Sequence, residues 1–297
     1  MSLLVGRPIV VGVDGSDESL VALAWATHEA QHRHRPLKLV HAWEVPVPGY
    51  VPVPASVDLV RESAEAVLAD AVSKAREWAP GVDVEGLLMH GPTARVLIDQ
   101  GDEAAMVVVG SHGRGGFARL MLGSSSAAVA AHATVPVVVT RGTSMDGAWR
   151  AGPVVVGIDG SEVSESAIDF AFSSAAVRRA GLVAVHAWAQ PDPFVDEAYA
   201  VLSEAATRQT EARLAVSESL AGWRDKYPDV PVTEVIADGH PVDALLTEST
   251  IVDGALLVVG CRGRGGFAGL LLGSVSRGVL HHATSPVAVV RPVSSAG

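Results

Sequence analysis

Apolar residues in this chain fall into short continuous runs, separated by longer stretches in which they recur every three or four positions. The runs at 9–13 (IVVGV), 37–43 (LKLVHAW), 106–110 (MVVVG) and 136–140 (PVVVT) are rich in β-branched residues and poor in charge, the pattern of strands buried on both faces. Helical spacing fills the intervals at 17–34, 56–78, 93–100 and 124–132, with Ala22, Trp25, Ala26 and Glu29 on one face of the first. Pro92 opens the third helix, since a first helical turn tolerates proline. A short strand is predicted near 82–88, and 44–55 (EVPVPGYVPVPA) reads as a proline-rich loop.

The whole order then repeats. PIVVGVDGSDES at 8–19 returns as PVVVGIDGSEVS at 153–164, with eight of twelve positions identical at an offset of 145. His41-Ala42-Trp43 returns as His186-Ala187-Trp188 at the same offset. A glycine-rich stretch at 110–126, GSHGRGGFARLMLGSSS, returns at 260–276 as GCRGRGGFAGLLLGSVS, with twelve of seventeen positions identical. Residues 141–152 (RGTSMDGAWRAG) match neither copy, so the predicted boundaries are a domain over 1–142, a linker over 143–152 and a domain over 153–297.

Strands joined through helices run parallel, with right-handed crossovers. The predicted class is therefore α/β: two tandem doubly wound domains, each a five-stranded parallel sheet with helices on both faces. The last strand of each copy is apolar and is expected at an edge. Mutual pairing of those two strands would cover both edges and make a pseudo-twofold dimer within one chain.

Both glycine stretches follow a buried strand and end in Gly-Ser at the start of a helix. That position suits an anion: backbone N–H groups face outward, the helix dipole is positive, and glycine allows close approach. Asp14 and Asp159 end the first strand of each copy, where a carboxylate reaches the same rim and would accept from a ribose hydroxyl or a base amine. An N-terminal helix cap is the plainer role for them, because Asp-Gly-Ser before a helix caps well. Gly12 and Gly157 leave room beside these aspartates, and Arg114 and Arg264 would neutralise phosphate charge. A lysine-bearing phosphate loop is missing, and the first turn lacks the dinucleotide G-x-G-x-x-G pattern.

The aspartate after strand one, together with Gly-x2-Gly-x9-Gly-Ser, resembles the universal stress protein family in its tandem, ATP-binding form, over nearly the whole chain. The resemblance implies an adenine nucleotide alpha hydrolase-like fold. It implies ATP contacts at Gly12, Asp14, Gly110, Gly113, Gly116, Gly123, Ser124 and Ser125, and in the second copy at Gly157, Asp159, Gly260, Gly263, Gly266, Gly273, Ser274 and Val275. Backbone near Val40-His41 and Val185-His186 would line the base. It further implies ATP, with or without Mg²⁺, as cofactor, a regulatory role in stress, dormancy or growth control, dimers, a protein partner of unspecified identity, and at most slow turnover. Two other functions stay open on the residues alone: a slow ATPase or a nucleotidyl or phosphoryl transferase, and an interaction scaffold with empty clefts.

Composition narrows the classes. With 48% apolar and 19% charged residues, both halves can bury a core, and a net charge of −11 disfavours a nucleic-acid or anionic-membrane surface. A single cysteine, Cys261, removes any disulfide framework and fits a reducing cytoplasm, as does an N-terminus read as lacking a signal peptide. No apolar run of spanning length is present. His28-Glu29-Ala30-Gln31-His32 matches a zinc-hydrolase helix motif, but its second-copy counterpart, SSAAV at 173–177, has none of those residues. No third ligand beyond adjacent His34 suggests itself, and histidines at a helix C-terminus are ordinary dipole partners. Cys261 stands where the first copy has Ser111, and His41 and His186 read as packing residues.

Overall fold

The computed structural model describes residues 6–45, 54–113, 122–142, 152–188, 198–252, 255–263 and 271–292, and divides into two compact units, Met1–Gly147 and Ala148–Gly297. The first unit runs β1 (Ile9–Gly12), α1 (Asp17–Arg33), β2 (Leu37–Trp43), α2 (Pro54–Trp78), β3 (Val84–His90), α3 (Thr93–Gly101), β4 (Met106–Gly110), α4 (Ser124–His132) and β5 (Val137–Thr140). The second repeats it as β6 (Val154–Gly157), α5 (Glu162–Arg178), β7 (Leu182–Trp188), α6 (Ala198–Lys226), β8 (Val232–Asp238), α7 (Pro241–Ile251), β9 (Leu256–Gly260), α8 (Ser274–His282) and β10 (Val287–Val290).

Within the first unit the strand order is β3-β2-β1-β4-β5, and within the second it is β8-β7-β6-β9-β10, with every pair parallel. This is the doubly wound α/β arrangement expected from the sequence. β1 lies between β2 and β4, with Ile9 opposite both Leu37 and Met106. Its first three residues are fully buried, which is why the run carries no polar side chain. Helices α1 and α2 pack together on one face, and α3 packs with α4 on the other. The chain thus leaves β1 and β4 toward opposite sides, and a crevice opens between their carboxyl ends.

Local chemistry sets the helix limits. Ser16 caps α1 by accepting from the Ser19 amide, and Asp17 and Glu18 in the first turn complement the dipole. The helix ends at His34, which takes the left-handed conformation (φ 52°) while its N–H donates to the Ala30 and Gln31 carbonyls. Arg179 ends α5 in the same way, at φ 52°. His34 is thus a helix terminator. Proline use differs from expectation: Pro92 is the N-cap of α3, whereas in α7 Pro241 occupies the first turn.

In the second unit the buried ring of Phe172 on α5 stacks on Trp223 and Tyr227 at centroid distances of 6.3 and 5.7 Å. Lys226 lies over the Trp223 ring at 4.4 Å and pairs with Asp169 at 2.9 Å. Phe172→Ala would leave a cavity under α6 and is expected to destabilise the protein by about 3–5 kcal/mol. Urea denaturation followed by tryptophan fluorescence should show a lowered midpoint; an unchanged midpoint would contradict the packing described.

Candidate functional site

The carboxyl end of β1 carries Asp14, whose Oδ1 accepts from the Ser16 amide at 3.0 Å and from the Ser16 hydroxyl at 2.6 Å. Ser16 in turn accepts from the Ser19 amide at 3.2 Å. The cap is therefore Ser16, and Asp14 holds the cap in place. Asp159, Ser161 and Ser164 reproduce the arrangement at 3.0, 2.6 and 3.2 Å. In each unit the other carboxylate oxygen faces the glycine stretch: a Cβ built on Gly113 would collide with Asp14 Oδ2, and one on Gly263 with Asp159 Oδ2. Any side chain at these two positions would have to displace the aspartate carboxylate.

The stretch after β4 closes on itself. The Gly123 N–H donates to Ser111 O at 2.7 Å, and the Ser126 hydroxyl donates to Gly110 O at 2.6 Å. In the second unit Gly273 N–H donates to Cys261 O at 2.8 Å, and the Ser276 hydroxyl donates to the same oxygen at 2.9 Å. These bonds seat the first turns of α4 and α8 beside the ends of β4 and β9. Gly123 and Gly273 are the N-caps, and neither helix has a side-chain cap, in contrast to α1 and α5. The leading amides of α4 and α8 thus point toward the crevice with their dipoles intact.

A cleft of about 460 Å³ lies between these parts in the first unit, and one of about 480 Å³ in the second. Gly12, Asp14, Gly110, Gly113, Gly123, Ser124 and Ser125 all line the first, and Gly157, Asp159, Gly260, Gly263, Gly273, Ser274 and Val275 the second. Arg114, Gly116, Arg264 and Gly266 lie outside the described residues. The side wall is apolar: Val40, Ala42 and Leu97 in the first cleft, Val185, Ala187 and Leu245 in the second. The room left by Gly12 and Gly157 is not open space. A Cβ there would meet the Leu97 side chain at 2.9 Å and the Leu245 side chain at 3.2 Å, so these glycines let α3 and α7 sit close.

A model of the universal stress protein family matches the chain twice, over residues 6–141 and 151–291. The chain belongs to the universal stress protein family. A universal stress protein of Mycobacterium tuberculosis is 41% identical over 293 residues, covering 95% of this chain and 96% of its own. The solved universal stress protein of Archaeoglobus fulgidus superposes with a TM-score of 0.69 at 20% identity, over 98% of both chains, and shares the fold. Another from that organism, solved in complex with dAMP, covers 46% of this chain at 29% identity with a TM-score of 0.36.

Several residues at the site escaped the reading of the sequence. His41 Nδ1 donates to Val13 O at 2.5 Å, and His186 Nδ1 to Ile158 O at 2.7 Å. The repeated histidines therefore tie β2 and β7 to the backbone just ahead of each aspartate, which is more than packing. His112 and Arg262 line the clefts from positions directly before Gly113 and Gly263. Arg141 follows β5 as Arg291 follows β10, at the offset of the glycine stretches, although 141 stands in sequence that seemed unmatched. Burial lowers the pKa of both; for Arg291 the nearby Cys261 opposes and Arg262 adds to the effect. Both remain cations at neutral pH.

The zinc-motif residues are otherwise engaged. Glu29 is 1% exposed and accepts from Arg33 Nε at 2.6 Å, while His28 and His32 approach each other at 3.0 Å between Nε2 atoms. No group of three or more His, Cys, Asp or Glu suited to a metal occurs among the described residues, and no helix there is long and apolar enough to cross a membrane. His41→Leu roughly keeps the side-chain volume but strands the Val13 carbonyl, and should cost about 1–2 kcal/mol of stability. Chemical denaturation of the variant checks this, and an unaltered midpoint would assign His41 to packing alone.

Proposed function

We propose that each unit binds one ATP and that the protein acts as a nucleotide-responsive regulator in stress, dormancy or growth control. The observation that carries this reading is the juxtaposition, made twice, of an uncapped helix N-terminus, a glycine backbone and a rim aspartate around one cleft. Phosphates belong against the leading amides of α4 and α8, which supply donors and positive potential without a lysine. The ribose hydroxyls belong at Asp14 and Asp159, and the base against the apolar wall of Val40, Ala42 and Leu97 or its second-unit counterpart. Volumes of about 460 and 480 Å³ fall in the usual range for small-ligand sites. Mg²⁺, where present, would travel with the triphosphate, since each cleft offers it one carboxylate among the described residues.

Holding is favoured over cleavage by what the aspartates already do. Asp14 and Asp159 are the only carboxylates among the described lining residues, and one oxygen of each is committed to Ser16 or Ser161. A general base for an attacking water needs a free, aimed acceptor. The slow-enzyme reading therefore ranks second. We expect turnover of labelled ATP below about one event per minute, against roughly 10 s⁻¹ for a typical enzyme; faster release of product would reverse the ranking.

Mass spectrometry of small molecules released from the natively purified protein should find adenine nucleotide. Asp14→Ala with Asp159→Ala should weaken ATP binding about 10–100-fold, the loss expected for hydrogen bonds from the ligand to a charged group. Gly113→Val with Gly263→Val should weaken it about 100-fold or more by driving a side chain into the carboxylate. Circular dichroism should be unchanged in both. Wild-type ATP affinity in both double variants would refute the assignment.

A further inference from the structure

The two clefts share their backbone bonds and nearly their volume, yet their described lining differs in charge at two matched places. His112 of the first cleft is Arg262 in the second, and both line it. One turn into the helix, Ala127 of α4 corresponds to Arg277 of α8, and Arg277 lines the second cleft. Both differences have the same sign. The second cleft gains two permanent cations, while the cavity volumes, about 460 and 480 Å³, are nearly equal.

Building on the ATP reading above, we infer that the two sites are unequal: the second unit selects the polyphosphate, and the first discriminates weakly by phosphate number. Arg262 and Arg277 are exposed and both line the cleft, one on the glycine stretch and one on the helix. Guanidinium groups in those positions reach the outer phosphates of a chain whose inner phosphate rests on the α8 amides. One difference runs the other way. Ser125 offers a hydroxyl where the second cleft has Val275. A neutral hydroxyl bond is about half as strong as a charge-assisted one, so two guanidiniums outweigh it. The first cleft would be filled by mono- and triphosphates with similar affinity, the second by triphosphate first. At intermediate nucleotide concentration the chain would carry ATP in its second unit alone, and the first unit would report total adenine nucleotide.

The test uses the full chain with one site disabled at a time. Gly113→Val leaves the second site and Gly263→Val leaves the first, and each is titrated calorimetrically with ATP and with AMP at low and high salt. The second site should bind ATP about tenfold or more tighter than the first, with the gap shrinking to about threefold for AMP and narrowing in high salt. In the Gly113→Val background, Arg262→His with Arg277→Ala should lose about tenfold for ATP and less for AMP. In the Gly263→Val background, His112→Arg with Ala127→Arg should gain for ATP. The unmodified chain gives a check free of folding effects: its ATP isotherm should show two steps, the tighter one more salt-sensitive. Affinities for ATP within twofold of each other, a gap as large for AMP as for ATP, or a single-step isotherm for two equal sites would overturn the inequality and leave ATP binding standing. Absence of ATP binding to the unmodified chain would overturn both.

Discussion

One backbone hydrogen bond per unit, Gly123 N–H to Ser111 O and Gly273 N–H to Cys261 O, is the constraint on which the site depends. It closes the stretch between strand and helix at its two ends. The first turn of α4 or α8 therefore stands at the rim beside β4 or β9, whatever the intervening residues do. The Ser126 and Ser276 hydroxyls fix the same junction from within the helix. They donate back to the strand end, so they do not cap the helix. A hydroxyl at the N-cap would have taken one of the leading amides, as Ser16 takes that of Ser19 in α1. Glycine at the N-cap leaves them for a ligand.

The other half of the crevice is fixed by a second set of bonds that meets the first at a single carboxylate. Asp14 is held through Oδ1 by Ser16, and the carbonyl before it is held by His41 from β2. Its Oδ2 is left so close to Gly113 that no Cβ fits between them. Changes on either side are therefore felt at the same two atoms. The second unit builds the same junction from Asp159, Ser161, His186 and Gly263. The two copies kept these backbone bonds and aspartates while exchanging, among other side chains, those at 112/262 and 127/277, which change the charge of the described lining and hardly its volume.

Much of this was legible in the sequence because it rests on periodicity and on backbone requirements. The strands, the repeat, the α4 boundaries at 124–132 and the glycine rim follow from buried apolar runs and from where a side chain cannot fit. What could not be read depends on partners distant in the chain. Asp-Gly-Ser suits a cap, but only the folded turn shows that Ser16 caps while Asp14 braces it. A histidine in a strand looks like packing until the carbonyl 28 residues away is seen opposite its ring. Glu29 stands at helical spacing with core residues and also falls within a motif of zinc-hydrolase type, which the second copy lacks. Burial next to Arg33 decides for the first. Arg141 was hidden because the repeat fails immediately after it, although its spacing from the glycine stretch equals that of Arg291.

The net charge of −11 runs against the binding of a polyanion. The distance over which charges act resolves this. At physiological ionic strength the Debye length is about 8 Å, so exposed carboxylates beyond roughly that range contribute little to the potential in either cleft. Among the described lining residues each cleft has one carboxylate beside the leading amides of a helix, and the second adds Arg262 and Arg277. Acidic side chains elsewhere, such as Asp70 and Asp99 on α2 and α3, are paired with Lys74 and Arg95 along their own helices. The long-range repulsion of an acidic chain is screened over the Debye length, whereas the amides and side chains that line each cleft act inside it, and in the second unit they include two guanidinium groups.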